Sequence, residues 1–233
     1  MPYICLLLSG AALLVNGLAT LGQLPRRDAA VFSMVLGGTQ LVLGVVHLLG
    51  TGAGGEALMT GAGMFLFGLT YVYAGLDVLL GLGSKGLGWF CGMVAFFGLL
   101  LAGAWVGTDP LLAVLWVCWS VLWGLLFASL ALGAARLEPF AGWALVLASQ
   151  VTATVPAFLG LAGLWPRSGL VACLAAALLA GLFVAAGLLA RRGRRSPHRA
   201  SAGTPGLAAT VNDVSLRHAG EGSKTRLADQ RSV

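Results

Sequence analysis

Residues 111–132 read LLAVLWVCWSVLWGLLFASLAL and contain no Asp, Glu, Lys or Arg. A helix needs about 20 mostly apolar residues to cross the hydrocarbon core of a bilayer. Backbone polar groups find no water in that core, so a spanning segment is either a helix or a strand of a closed barrel. This run is too long and too continuously apolar for a barrel strand. It therefore predicts a transmembrane helix.

Six further apolar runs lie on either side of this one, at residues 3–21, 29–50, 61–82, 87–107, 141–164 and 168–190. The whole chain is 58% hydrophobic and only 9% charged, which is unlike a soluble domain. The first run has no positively charged segment before it, so it is interpreted as a first span and not as a cleaved signal. The sequence predicts an all-α integral membrane protein with seven spans.

Basic residues indicate the orientation of these spans. They follow spans one, three, five and seven, as Arg26, Arg27, Lys85, Arg136 and the cluster Arg191, Arg192, Arg194 and Arg195. The opposite loops contain one basic residue, Arg167. Because basic loops stay in the cytoplasm, we expect a multi-pass protein of the cytoplasmic membrane. Its N-terminus lies outside and its C-terminus lies in the cytoplasm.

The net charge of +6 comes entirely from residues 191–233, since the basic and acidic residues before them balance. This segment is rich in Ser, Gly, Ala and Arg and has few large apolar residues, which predicts a disordered basic tail. The charge therefore does not indicate a nucleic-acid-binding protein. The four cysteines lie in separate apolar runs, so neither a metal site nor a disulfide framework is predicted.

Span five carries three tryptophans on one side. Trp116, Trp119 and Trp123 are spaced at i, i+3 and i+7, which places them on one arc of a helix. Tryptophan usually marks the headgroup interface, but this stripe runs from the outer half of the span to its middle. The rings either line a pathway or fill space between helices, and periodicity alone leaves both interpretations open.

Span three adds aromatic and ionisable side chains. Phe67 and Tyr71 lie one turn apart, as do Tyr73 and Asp77. A charged group within a span is costly to bury unless it is solvated or paired, so Asp77 is a candidate functional residue. It also lies near the cytoplasmic end of the span, where water or the neighbouring loop is within its reach.

Uncharged polar side chains in other spans are further candidates. Asn16 lies in span one, Gln40 in span two, and Gln150 and Thr152 lie ahead of Pro156 in span six. Such groups often bond across helices without further function. Together with stacked rings, however, they would suit a small, planar, neutral solute. The rings limit its width, and the polar groups replace part of its hydration.

Several segments together resemble one membrane protein family. They are FGLTYVYA at residues 67–74, WVCWSVLW at residues 116–123 and VPAF at residues 155–158, with Asn16-Gly17 in span one and Gly37-Gly38 in span two. In this order, over about residues 3–165, they are similar to the AmiS/UreI family of urea and amide channels. The resemblance implies a six-helix channel protomer, passive permeation of urea or short-chain aliphatic amides, and a homo-oligomer, a hexameric ring, in the lipid bilayer.

The resemblance also assigns residues to a pore. The lining positions it implies are Leu13, Phe67, Tyr71, Trp116, Trp119, Leu122 and Trp123. The polar pore or coupling groups we add as candidates are Asn16, Asp77 and Gln150. The chain divides into a channel-like domain at residues 1–165, an extra transmembrane helix at residues 166–190 and the basic tail at residues 191–233. Neither a cofactor nor a metal is implied.

Three positions depart from the family pattern. Leu112 replaces a further pore tryptophan, which is expected to widen or dry the outer mouth. Ala148 stands where members of the family carry a glutamate, so the role of that carboxylate is lost or passes to Gln150. Residues 51–60 contain no histidine, and only His47 precedes them, so acid gating through this loop is not expected.

Two functions of other classes stay open as alternatives. A proton-coupled small-solute transporter would need a coupling group, for which Asp77 is the candidate, but neither inverted halves nor paired broken helices are visible. A membrane scaffold or sensor would use the tryptophan stripe for packing alone. An enzyme is not expected, because no span carries paired carboxylates, an HExxH segment or a Ser/His arrangement.

Overall fold

The computed structural model describes residues 1–51 and 54–195. Its helices are α1 (Pro2–Thr20), α2 (Arg26–Thr51), α3 (Gly55–Leu80), α4 (Lys85–Trp105), α5 (Pro110–Leu130), α6 (Glu138–Ala148), α7 (Val155–Leu161) and α8 (Gly169–Arg195). A 3₁₀ turn, Ala135–Leu137, precedes α6, and a π-helical turn, Ser149–Thr154, joins α6 to α7. Within the described residues, these elements make seven segments long and apolar enough to span a membrane. The predicted all-α membrane fold is confirmed.

The sixth span, Ala135–Leu161, is not one regular helix. Pro156 has no N–H to bond the carbonyl four residues earlier, and the helix widens into the π turn just before it. The Thr152 hydroxyl donates to the Ala148 carbonyl at 2.7 Å, which gives this carbonyl a side-chain partner within the turn. The regular span expected over residues 141–164 therefore begins earlier and changes helix type in its middle.

Close backbone contact joins the helices in pairs. Helix α2 packs along α3, α4 along α5, and α1 along the sixth span. Glycine permits the first of these contacts: a Cβ atom on Gly37 would lie 2.7 Å from the carbonyl oxygen of Gly68. The resulting core contains Leu13 of α1, Phe67 of α3 and Trp119 of α5. Side chains from these three helices therefore meet in the interior.

Helix α8 packs on the rest of the bundle through a single stripe. Leu179, Leu182 and Ala186 are buried, and the ring of Phe183 lies 6.4 Å from that of Phe140. The other side of the helix exposes leucine and valine side chains. Such a surface suits contact with lipid.

The basic cluster at the end of α8 belongs to the helix. The helix continues from Gly169 to Arg195, so the predicted disordered tail does not begin at Arg191. The remainder of that predicted tail, residues 196–233, lies outside the described residues.

Candidate functional site

Two cavities enter the bundle from opposite ends. The upper cavity, about 250 Å³, lies where α1 begins, and its wall includes Tyr3, Gln40, Glu56, Leu112 and Trp165. The lower cavity, about 190 Å³, lies where α1 ends, and its wall includes Asn16, Arg26, Asp77 and Glu138. They mark a path along the bundle that is interrupted in its middle.

Five aromatic residues separate the two cavities. Phe67, Trp116 and Trp119 line the upper cavity, whereas Tyr71 and Trp123 line the lower one. The Phe67 ring stacks on Trp123 at a centroid distance of 4.7 Å and meets Trp119 edge-to-face at 5.3 Å. These distances are those of rings in direct contact. We call these five residues the aromatic constriction.

Helical spacing brings the constriction together. Its tryptophans occupy one arc of α5, and Phe67 and Tyr71 lie one turn apart on α3. Glycine makes room for the uppermost ring, because a Cβ atom on Gly63 would lie 2.7 Å from Cζ2 of Trp116. The tryptophan stripe therefore faces α3 inside the bundle and not the surrounding lipid.

Threonines hold two of the indoles. The Trp119 Nε1–H donates to Thr152 Oγ1 at 3.1 Å, and the Trp123 Nε1–H donates to Thr70 Oγ1 at the same distance. Each hydroxyl donates in turn to the backbone carbonyl four residues earlier at 2.7 Å. All four side chains are buried. Both indole donors are thus used within the protein, and these two rings present apolar faces and edges to the path.

Two of the predicted pore residues lie elsewhere. Leu122 is buried but lines neither cavity. Gln150 is exposed on the outside of the bundle, where its amide donates to Ser149 Oγ at 3.2 Å, so it does not take the place of a pore group. Thr152, on the buried side of the same span, contacts Trp119 instead. Leu13, in contrast, lines the lower cavity.

Asn16 and Asp77 both line the lower cavity and are both hydrogen-bonded. The Asn16 amide donates to Ser33 Oγ at 2.8 Å. One carboxylate oxygen of Asp77 accepts the backbone N–H of Ser84 at 2.8 Å, and the other accepts the Ser84 hydroxyl. Ser84 has a positive φ of 63°, a conformation that needs such support. Asp77 therefore holds the loop between α3 and α4.

Charged residues lie around the upper cavity, where Glu56, Asp109 and Arg167 contribute to the wall. Asp109 accepts the backbone N–H of Leu112 at 3.0 Å, which caps α5, and the Trp165 Nε1–H at 2.8 Å. Leu112 places an apolar side chain in the same wall. The upper mouth thus combines charged groups with an apolar lining.

Four polar residues near the constriction were not assigned a role from the sequence. Thr70 and Thr152 hold the indoles, and Gln40 Nε2 donates to Ser9 Oγ at 2.7 Å in the wall of the upper cavity. Gln40 and Thr152 were predicted only as uncharged groups that either bond across helices or replace part of the hydration of a solute, without a named partner. The one local signal for Thr70 is its position next to Tyr71 in an aromatic run.

Residues 1–164 match the family model described as AmiS/UreI family transporter. The chain is 42% identical over 160 residues to a protein of Rhodococcus erythropolis named as the transporter AmiS2, and the match covers 68% of this chain and 78% of that protein. It is 35% identical over 173 residues to a protein of Mycolicibacterium smegmatis named as a transporter of amidate substrates, with 72% and 80% covered. The residues matched by the family model include the whole aromatic constriction.

Solved structures show the same fold. The crystal structure of the urea channel of Helicobacter pylori superposes with a TM-score of 0.65 at 26% identity, covering 71% of this chain and 100% of that one. A cryo-EM structure of the same channel in a closed state gives a TM-score of 0.64 at 26% identity and the same coverage.

Proposed function

Because this chain belongs to the AmiS/UreI family of transporters, we propose that it is a passive channel for urea or short-chain aliphatic amides. It is a multi-pass membrane protein of a transporter family and not of an enzyme family. One observation supports the choice of solute most directly: two cavities meet at a constriction of aromatic rings, two of whose indole donors are occupied by threonines.

The aromatic constriction suits flat, neutral solutes. Urea and primary amides are planar, so they can pass face-on along Phe67 and the tryptophans. A hydrated inorganic ion would need charges or a ring of carbonyls to replace its water, and the five side chains of the constriction offer neither. Glycerol is not planar, and it would lose hydrogen bonds to water that these apolar faces do not replace. Size, flatness and neutrality together would select the solute.

Permeation requires one ring to move. Phe67 and Trp123 stack at 4.7 Å, which leaves no space for a solute between them. Hydrogen bonds to threonine hold Trp119 and Trp123 in place, whereas Phe67 has no polar atom to anchor it. Rotation of the Phe67 side chain is therefore the smallest change that would join the two cavities.

The proposal includes location, orientation and assembly. The upper cavity faces the outside of the cytoplasmic membrane and the lower cavity faces the cytoplasm, as the basic loops predict. The protein forms a homo-oligomer, a hexamer by family resemblance. Each protomer contains both cavities and the constriction between them, so the pore belongs to the protomer.

Neither proton coupling nor acid gating is part of the proposal. Both carboxylate oxygens of Asp77 are hydrogen-bonded to Ser84, which suits a loop cap better than a coupling group. His47 is buried in α2, and the loop that follows it contains no histidine. We therefore expect flux that is independent of pH.

Stopped-flow light scattering on proteoliposomes tests the channel proposal. Urea, acetamide and glycerol entry would be compared with empty liposomes at neutral and acidic pH. Fast, pH-independent and non-saturating entry of urea or acetamide, with slow glycerol, is the expected result. Monodisperse protein that gave only empty-liposome rates for all three solutes would contradict it. Trp119→Ala tests the alternative that the protein is a scaffold. If the tryptophans served packing alone, this substitution should alter folding without any specific loss of solute flux.

A further inference from the structure

The side-chain amide of Gln40 is buried, and its oxygen has no hydrogen-bond partner among the described residues. Its side chain, on α2, is fully buried, and its Nε2 donates to the Cys5 carbonyl and to Ser9 Oγ, both at 2.7 Å. Only a donor can face a backbone carbonyl oxygen, so this contact determines which end of the amide is nitrogen. The other end, Oε1, has no hydrogen-bond partner among the described residues.

The Tyr71 hydroxyl is a second unpartnered group at the same level of the bundle. The residue is only 4% exposed, and its Oη lies within reach of the Ser9 side chain but has no hydrogen bond of normal geometry within the described residues. Ser9 therefore neighbours both side chains. Gln40 and Ser9 line the upper cavity, while Tyr71 lines the lower one. The three groups, from α1, α2 and α3, bridge the level at which the aromatic constriction interrupts the path.

Unpartnered buried polar atoms are rare in folded proteins, because burial removes their hydrogen bonds to water without replacement. Here an acceptor, Gln40 Oε1, and a hydroxyl, Tyr71 Oη, both lack a partner beside the same path. The indole donors of Trp119 and Trp123 are already occupied by threonines, so they do not serve a passing solute. A solute with both N–H donors and a carbonyl oxygen would satisfy both free groups.

We propose that Gln40 is a specificity-determining residue for solutes with a primary amide group. Its Oε1 accepts a hydrogen bond from the solute N–H, and the Tyr71 hydroxyl donates to the solute carbonyl oxygen. Cys5 and Ser9 hold the nitrogen end of Gln40, so the accepting oxygen is fixed in position. This inference rests on the proposed channel function and goes beyond it, because it predicts preference for urea and primary amides over N-alkylated amides of the same size.

Three isomeric amides separate hydrogen bonding from size. Propionamide, N-methylacetamide and N,N-dimethylformamide share one molecular formula and carry two, one and no N–H groups. Protein-dependent permeability, after subtraction of the empty-liposome rate, is expected to fall in that order. Gln40→Met keeps the length and burial of the side chain but removes the acceptor. It is expected to reduce the preference for propionamide over N,N-dimethylformamide by about threefold to tenfold, the factor that one hydrogen bond supplies.

Gln150→Met is the matched control, since it makes the same change at an exposed position that lines neither cavity. Its isomer preference should equal that of the wild type. Gln40 also ties α2 to α1, so the folding of Gln40→Met is checked by size-exclusion chromatography and thermal unfolding. If that variant does not fold, the wild-type order of the three isomers decides, because equal protein-dependent permeabilities for propionamide and N,N-dimethylformamide would overturn the role of Gln40.

The outcomes separate this inference from the channel proposal. A selective loss of propionamide permeability supports the role of Gln40. Wild-type isomer preference in the folded variant, or an equal loss for all three isomers, would overturn that role while leaving the channel proposal intact, provided the wild type conducts urea. Wild-type protein that conducts neither urea nor any amide would instead remove the channel proposal, and this inference with it.

Discussion

Thr152→Val tests whether a threonine sets the orientation of a ring in the aromatic constriction. Valine keeps the shape of threonine but lacks the hydroxyl that accepts the Trp119 N–H at 3.1 Å. The buried indole donor would then be unpartnered, which costs about 1–3 kcal/mol. The ring can avoid this cost by rotating toward another acceptor, and it would then leave its edge-to-face contact with Phe67 at 5.3 Å. Since 1.4 kcal/mol is a factor of ten in an equilibrium constant, the native orientation would lose its dominance.

We expect the ratio of urea to glycerol permeability to fall by about fivefold or more in Thr152→Val, because that factor corresponds to the lower limit of the lost interaction. Stopped-flow light scattering measures the ratio, and near-ultraviolet circular dichroism reports the tryptophan environment. Thr39→Val is the control. The Thr39 hydroxyl makes the same one-turn bond, to the Val35 carbonyl at 2.8 Å, but it is exposed and holds no indole.

Two results would refute the reasoning. One is a folded Thr152→Val protein with the wild-type permeability ratio and an unchanged near-ultraviolet spectrum. The other is an equal loss of selectivity in Thr39→Val, which would trace the effect to the helix backbone and not to the indole.

Three further substitutions address the constriction and the lower cavity. Gly63→Ala is expected to slow urea entry and to lower the free energy of unfolding by about 1–3 kcal/mol, because the added methyl overlaps Trp116. Urea entry and stability should be unchanged in the control Gly103→Ala, where a Cβ atom meets no atom within 4 Å. Trp123→Ala is expected to change the ratio of urea to acetamide permeability in normally assembled protein, and a wild-type ratio would remove this ring from the pore. Asp77→Asn is expected to lower the unfolding temperature through a weakened loop cap, with urea flux equal at neutral and acidic pH. If urea flux depended on pH in the wild type and not in Asp77→Asn, Asp77 would instead couple flux to protons.

Most of the fold follows from apolar runs, because bilayer thickness dictates the length of a spanning helix. The predicted helix ends were less accurate, because an apolar run locates only the part of a helix that lies inside the hydrocarbon core. Span three was predicted to begin at residue 61, yet α3 begins at Gly55, since a helix can extend beyond the hydrocarbon core. The continuation of α8 through the basic cluster to Arg195 has the same explanation.

The rings of the site were easier to identify than their polar partners. The i, i+3, i+7 spacing of the tryptophans depends on one helix alone, and in the structure the three residues are buried on α5. The role of Gln40 depends on which atoms of α1 lie opposite it, and sequence spacing within α2 does not contain that information. Gln150 was a candidate because the role of the missing family glutamate was expected to pass to it, but it lies on the exposed side of the sixth span, whereas Thr152 lies on the buried side one turn after Ala148.

The π turn in the sixth span also affects how relatives are aligned. A π turn bonds residues five apart instead of four, so it contains one residue more than an α-helical turn. A relative with a regular sixth span would therefore fall out of register with this chain by one position on one side of the turn, even with Pro156 matched. For such a relative, the residue paired with Ala148 by counting back from Pro156 would not occupy the same place in space. Positions in this span are best equated by the ring they touch, and for Trp119 that residue is Thr152.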